Sequence, residues 1–142
     1  MALRSTGRTR WEGDLTNGSG TTSLDSGAVA PMQVTWQART EDHGGVTSPE
    51  ELIAAAHASC FSMALAARLA KAGTPPTSIE TEATATFVVG EGITAMELIV
   101  RAAVDGMSEE DFQTTAQDAK ENCPVSKALA GNVPITLDAA LA

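Results

Sequence analysis

Residues 48–73 read SPEELIAAAHASCFSMALAARLAKAG and carry the strongest structural signal in the chain. Ser48 is a suitable N-cap, Pro49 occupies the first helical position, and the two glutamates that follow complement the positive end of the helix dipole. The segment from Leu52 to Ala72 is rich in alanine and nearly free of charge, and Gly73 ends it. Because a helix that is apolar almost all round must be buried on most sides, we expect this helix to be the central element of the fold.

The segments on either side of this helix show strand patterns and two shorter helices. Alternation of apolar and polar residues predicts the strands, and capping residues predict the helices. On the third strand, Arg39 falls on the polar face. The order indicates an α+β chain with largely antiparallel pairing, and no linker interrupts a single domain over residues 1–142. The predicted strands are Arg8–Trp11, Thr21–Leu24, Met32–Arg39, Ile79–Val89, Met96–Val104 and Val133–Leu141, and the predicted helices are Ser108–Cys123 and Pro124–Gly131.

Composition excludes several classes of protein. The chain has 142 residues with 9 basic and 18 acidic side chains, a net charge of −9, which argues against a protein that binds nucleic acid through its phosphates. No apolar stretch is expected to reach the roughly 18–20 residues of a membrane span. The first eight residues lack the apolar core of a secretory signal. We therefore expect an acidic, soluble, cytoplasmic protein.

The two cysteines, Cys60 and Cys123, are the most informative residues for function. Such a distant pair can be two buried thiols, two metal ligands or a redox couple. Cys123 precedes Pro124 at a predicted helix start, where free N–H groups favour a thiolate. Cys60 lies in mid-helix, so a reactive thiolate there needs a side-chain cation, and Arg39 is a plausible supplier.

Other readings of these residues stay open at this point. His57 and Cys60 are three positions apart on one helical face, which permits a Cys–His nucleophile pair or a shared metal. A metal site would need Cys123 and His43 as further ligands, since structural zinc takes four. A Cys–His hydrolase would need an orienting group and an oxyanion hole, which nothing marks. The plain alternative is that His57 is a hydrogen-bonded core residue.

Two motifs carry a resemblance to a known family. Residues 48–65, with the pattern Ser-Pro-Glu-Glu-Leu-Ile followed by Ala-His-Ala-x-Cys-Phe-Ser-Met-Ala-Leu, resemble the osmotically inducible protein C and organic hydroperoxide resistance family. The segment Asn122–Ser126 around the second cysteine does so as well. The segment Trp11–Asp14 and the strand ending in Arg39 are most similar to the osmotically inducible branch.

The resemblance implies a thiol-dependent peroxidase that reduces organic hydroperoxides to alcohols without a cofactor or metal. It implies that Cys60 is the peroxidatic thiol, Cys123 the resolving thiol, Arg39 the residue that stabilises the thiolate and Glu50 the residue that orients Arg39. It also implies an intertwined homodimer, with mainly antiparallel sheets wrapped round the long helix, and a dithiol reductant of the lipoyl type. Neither nucleic acid nor membrane is an implied partner. The alternatives are a non-catalytic small-molecule-binding domain of the same fold and, less favoured, a metal-dependent hydrolase.

Helix geometry adds one expectation about how the site is assembled. Ten residues separate Glu50 from Cys60, roughly 15 Å along a straight helix at about 1.5 Å per residue. The two side chains therefore cannot touch within that helix. We expect Arg39 to bridge the gap or a second subunit to contribute, and we favour a site built across the dimer interface.

Overall fold

The computed structural model describes all 142 residues, in two compact units that comprise residues 1–52 and 53–142. The first unit holds three strands, a one-turn helix and the start of the long helix. The second unit holds the rest of the long helix, three strands and two further helices. The elements in chain order are β1 Gly7–Glu12, β2 Ser19–Leu24, β3 Met32–Val34, α1 Gln37–Thr40, α2 Pro49–Lys71, β4 Ser78–Val88, β5 Gly92–Ala103, α3 Glu109–Asn122, α4 Pro124–Leu129 and β6 Ile135–Leu141.

The first unit is an antiparallel sheet in the order β1-β2-β3. Gly20 lies on the central strand, β2. The position requires glycine because the neighbouring side chains leave no room for a Cβ atom. A Cβ atom there would stand 2.9 Å from both Trp11 Cε3 and Val34 Cγ2. The sheet therefore packs its two outer strands across the backbone of β2.

The third strand is shorter than the sequence predicts. Its pairing with β2 ends at Val34, and the hydroxyl of Thr35 then accepts a hydrogen bond from the amide of Ala38 at 3.2 Å. This bond stabilises a helical turn, so Arg39 lies on α1 and not on the polar face of a strand. The prediction of a strand over residues 32–39 was wrong in its second half, because a side-chain cap overrides the alternating pattern there.

The second unit packs one face of α2 against its sheet, which has the order β4-β5-β6. β4 and β5 are antiparallel, as predicted, whereas β5 and β6 run parallel. The core members shared by α2, β5 and the helix α3 are Phe61, Leu65, Leu69, Leu98, Val100, Ala102, Phe112, Ala116 and Ala119.

Serine caps and glycines mark the helix ends close to where the sequence predicts them. Ser48 accepts a hydrogen bond from the Glu51 amide at 3.1 Å, and Ser108 accepts one from the Asp111 amide at 3.1 Å. Gly73 and Gly131 follow α2 and α4 with positive φ angles of 83° and 81°. These caps confirm the predicted termini to within two residues.

The long helix is less buried within one chain than the sequence predicts. Phe61 and Leu65 are fully buried, but the opposite face is exposed, and Met63 keeps 67% of its surface. The remaining exposed residues of this face are Ala55, Ala56, Ser59, Ala67 and Ala70. The expectation that α2 is buried on most sides was therefore wrong for the single chain.

The expectation about membrane spans also needs correcting. By length and composition, α2 is long and apolar enough to cross a bilayer, with a mean hydropathy of 1.5 over an 18-residue window. Isolated polar residues such as His57 and Ser62 do not lower that value enough to exclude it. One such helix is weak evidence for a membrane, because the core helix of a soluble protein meets the same criterion.

Candidate active site

The two cysteines, 63 positions apart in sequence, lie side by side as free thiols in the second unit. Cys60 projects from the middle of α2 and is partly buried, whereas Cys123 is fully buried between α3 and α4. Their thiols are hydrogen-bonded to each other. The structure thus brings together the two cysteines that the family resemblance implied as a redox couple.

Cys123 is the thiol that its surroundings favour as a thiolate. Burial by itself raises its pKa, but hydrogen bonds outweigh that effect and leave the pKa below its ordinary value. The donors, in order of effect, are the Ser126 amide, the Cys60 thiol, the Ser126 hydroxyl and the Val125 amide. Pro124 opens α4 directly after Cys123, so these donors belong to the first turn of a helix, as the sequence predicted.

Cys60 lies in the opposite electrostatic setting. Burial raises the pKa of its thiol, the Val125 backbone lowers it, and the neighbouring Cys123 raises it again. No cationic side chain from residues 53–142 is among these groups. A mid-helix cysteine has no free backbone donor of its own, because its amide is already bonded within the helix.

Arg39 and Glu50 form an ion pair in the first unit. Arg39 Nη2 lies 2.7 Å from Glu50 Oε1, and Arg39 Nε lies 3.1 Å from each carboxylate oxygen. Glu50 is buried and Arg39 is about one-third exposed, and the guanidinium stands 5.8 Å from the centre of the Trp36 ring. Glu50 therefore holds the arginine in a fixed orientation while leaving part of the guanidinium accessible.

A pocket of about 510 Å³ opens beside this arginine in the first unit. Most of its wall is apolar and Arg39 supplies its charge. The lining includes Trp11, Leu15, Val34, Trp36, Pro49 and Leu52. Such a pocket suits a ligand with an organic body and a small polar or anionic end.

Sequence reasoning missed the partner of His57. His57 is fully buried, and its Nε2 lies 2.8 Å from the hydroxyl of Ser126 on α4. Burial lowers the pKa of His57, so its imidazole is neutral at pH 7. The sequence did hold a signal for one half of this arrangement. Ser126 is three residues after Cys123, and at a helix start a side chain in that position turns back towards the capping residue. Nothing in the sequence paired Ser126 with His57.

His43, which the sequence offered as a possible metal ligand, makes local contacts in the first unit. His43 hydrogen-bonds the Ala38 carbonyl at 3.1 Å, and its other ring nitrogen lies 3.9 Å from Glu51. No group of three or more His, Cys, Asp or Glu side chains is arranged to hold a metal ion.

The fold and these contacts define an α+β protein in which a cysteine of the longest helix pairs with a cysteine at the start of α4. Residues 41–138 match the family model described as OsmC-like protein. The chain is 43% identical to Peroxiredoxin OsmC of Escherichia coli (strain K12), over 97% of this chain and 96% of that protein. This chain belongs to the OsmC-like protein family.

Two further comparisons support the assignment of family and fold. The chain is 36% identical to the organic hydroperoxide resistance protein OhrA of Bacillus subtilis, over 66% of this chain and 67% of that protein. Its fold matches a crystal structure of an organic hydroperoxide resistance protein OsmC from Legionella pneumophila, with a TM-score of 0.71, 22% identity and 99% of each chain covered. The predicted family and α+β fold class are confirmed, and the nearly full-length match to an OsmC protein agrees with the predicted branch.

Proposed function

We propose that this protein is a thiol-dependent peroxidase that reduces organic hydroperoxides. The observation that carries the proposal is the contact between two free thiols, one partly accessible and one at a helix start whose hydrogen bonds lower its pKa. The names of the relatives, a peroxiredoxin and an organic hydroperoxide resistance protein, support the same chemistry.

The difference in accessibility supports different steps for the two cysteines. Cys60 is the thiol that a peroxide can reach, so its thiolate attacks the distal oxygen, the O–O bond breaks, and the alkoxide takes up a proton to leave as an alcohol. Cys60 is then a sulfenic acid. The buried Cys123 thiolate attacks that sulfur, the S–S bond forms, and the S–O bond breaks to release hydroxide, which is protonated to water.

We propose Arg39 as the cation that Cys60 needs, and Glu50 as the residue that orients it. The pKa of Cys60 is raised by burial, so a thiolate at pH 7 requires a positive charge nearby. A guanidinium also stabilises the charge that develops on the departing oxygen. The tight pair with Glu50 supports this role, since a fixed arginine loses little freedom when it binds the reacting group.

We further propose a cytoplasmic homodimer in which residues 1–142 act as one functional domain and a lipoyl-type dithiol restores the reduced enzyme. The exposed apolar face of α2 supports the dimer, because a single chain leaves its longest apolar helix partly uncovered. The apolar pocket beside Arg39 supports an organic hydroperoxide as substrate over hydrogen peroxide.

Intact-mass analysis after thiol alkylation tests the redox couple. Reduced protein receives one equivalent of an alkyl hydroperoxide, with Cys60→Ser and Cys123→Ser as control chains. We expect both thiols to disappear together, with the mass of two hydrogens lost, and a dithiol to reverse the change. If both thiols remain free for alkylation after denaturation, the cysteines are structural and the protein is a non-catalytic binding domain.

Mixed dimers test how the site is assembled. Cys60→Ser chains and Arg39→Ala chains are each inactive in the proposal. If Arg39 acts on the Cys60 of the other subunit, a mixture of the two chains regains one intact site per mixed dimer. If Arg39 acts within its own chain, the mixture stays inactive.

A further inference from the structure

A buried histidine and a serine join the dithiol through a chain of hydrogen bonds. His57 Nε2 lies 2.8 Å from Ser126 Oγ, and the Ser126 hydroxyl in turn bonds the Cys123 thiol. His57 is fully buried and Ser126 is 3% exposed. The two residues are 69 positions apart, so this contact exists only in the folded chain.

The unpartnered nitrogen of His57 determines the direction of these bonds. Nδ1 is buried and has no hydrogen-bond partner. A buried N–H without an acceptor costs more than a buried lone pair without a donor, so Nδ1 carries no proton. Because the imidazole is neutral, its single proton is on Nε2. Nε2–H therefore donates to Ser126 Oγ, which leaves the serine proton free to point at Cys123.

We propose that His57 and Ser126 are positioning residues for Cys123: His57 fixes the Ser126 hydroxyl as a donor to the sulfur of that cysteine. This inference rests on the proposed function, in which Cys123 resolves the sulfenic acid of Cys60. It assigns a role to a histidine that the peroxide step does not use. It also gives a reason for a neutral, buried imidazole that is linked to Cys123 through the Ser126 hydroxyl.

The network acts on two steps of the cycle. In resolution, the donor keeps Cys123 as the thiolate that attacks the Cys60 sulfur and displaces hydroxide. In reduction, an external dithiol must attack the Cys60 sulfur, because Cys123 is fully buried. Cys123 then leaves as a thiolate with the electron pair of the S–S bond, and a stabilised leaving thiolate departs faster.

Few other groups can produce the same effect on Cys123. Cys60 is the titratable side chain in direct contact with it, and the amides of Val125 and Ser126 are the backbone donors. The buried residues that share a core with Cys123, contributed by α2, β5 and α3, are apolar. A change at Ser126 or His57 therefore reports on this network alone.

Titration of the Cys123 thiol in the full-length Cys60→Ser chain tests the proposal without any peroxide. Thiolate absorbance in the ultraviolet follows the buried sulfur as pH changes. We expect Ser126→Ala to lower the thiolate fraction at pH 7 about tenfold, as for a lost hydrogen bond to a charged group, and His57→Leu to lower it severalfold. The conservative changes Ser126→Thr and His57→Gln, which keep a donor in place, should restore most of it.

The outcomes separate this inference from the proposed function. If the Ser126→Ala titration superimposes on that of its parent chain, the network does not stabilise Cys123 and the inference is overturned. Circular dichroism shows whether His57→Leu folds. If it does not, Ser126→Ala alone is sufficient for the test, because it removes only a single oxygen atom. If Ser126→Ala shifts the titration but the wild-type chain forms no disulfide with peroxide, the network stands and the peroxidase proposal fails.

In the chain with both cysteines, rapid quenching with an alkylating reagent extends the test to catalysis. We expect Ser126→Ala to slow disulfide formation relative to oxidation of Cys60, so that the sulfenic acid accumulates. Ser126→Thr is the matched control. An unchanged ratio of the two rates in Ser126→Ala would contradict a role in resolution.

Discussion

At the scale of single residues, Cys60 and Cys123 have pKa values displaced in opposite directions by surroundings of different kinds. Cys123 receives helix-start donors and the Ser126 hydroxyl, whereas Cys60 has burial and a neighbouring thiol. This difference agrees with the proposed roles, in which Cys60 reacts with the peroxide and Cys123 then forms a disulfide with the oxidised Cys60. Cys123, the proposed resolving thiol, needs no cation because its own helix provides the donors.

Removing Cys123, the proposed resolving thiol, should make Cys60 vulnerable to overoxidation. In the Cys123→Ser chain, excess alkyl hydroperoxide should convert the Cys60 sulfenic acid to a sulfinic acid, since no thiol traps the intermediate. Intact mass should show two added oxygen atoms, whereas the wild-type chain should stop at the disulfide. Equal overoxidation in both chains would mean that Cys123 does not resolve Cys60.

His57 should link stability to pH. Burial lowers its pKa in the folded chain, so the unfolded chain binds a proton more readily, and stability rises with pH across this interval. The free energy of unfolding should therefore fall as the pH drops below about 6.5, the ordinary histidine pKa. Urea unfolding of wild type and His57→Gln at several pH values measures this. The difference between the two chains should change over that interval, and a constant difference would contradict the assignment.

At the scale of elements, serine side chains cap the starts of α2 and α3. The hydroxyl of Ser108 accepts the Asp111 amide and begins α3, whose buried face contributes Phe112 to the core. At α1, the hydroxyl of Thr35 accepts a hydrogen bond from the Ala38 amide and supports a single helical turn. Short polar side chains thus set the geometry of both the core and the candidate site.

The cap of α3 gives a prediction about stability. Ser108→Ala should lower the free energy of unfolding by about 1 kcal/mol, because the Asp111 amide loses its acceptor. Thr114→Ala, on the exposed surface of the same helix, is the control and should change stability little, since alanine favours helix. Urea unfolding at neutral pH measures both changes. Equal losses in the two variants would indicate that the cap contributes nothing particular.

At the scale of the whole molecule, the exposed face of α2 is the feature that a single chain does not explain. It is apolar, it belongs to the most apolar helix of the chain, and Met63 projects from its middle. A second copy that covers this face would place two cysteine-bearing helices next to each other. The proposed dimer therefore rests on this surface.

A charge on this face should separate the subunits. Met63→Glu should weaken dimer association by at least about tenfold, because an unpaired buried charge costs several kcal/mol. Val89→Glu is the matched control, since Val89 is 62% exposed in the turn between β4 and β5. Analytical ultracentrifugation over a range of concentrations measures the change. If both variants associate as the wild type does, this face is not the subunit interface.

The sequence determined those features that depend on neighbouring residues. The caps and periodicity of residues 48–73 predict α2, the alternation of residues 78–103 predicts the β4–β5 hairpin, and Pro124 predicts a helix start that favours a thiolate on Cys123. Each of these rests on backbone geometry and on contacts within a few positions. The motifs around the two cysteines also indicated the family.

Only the tertiary structure decided what distant residues do to one another. It placed Ser126 against His57 and turned the end of the predicted third strand into α1. It also showed that one apolar face of α2 stays exposed within the chain. The reason is physical: hydrogen-bond partners and buried faces are selected by packing in three dimensions, and the periodicity of a segment does not specify which surface it meets.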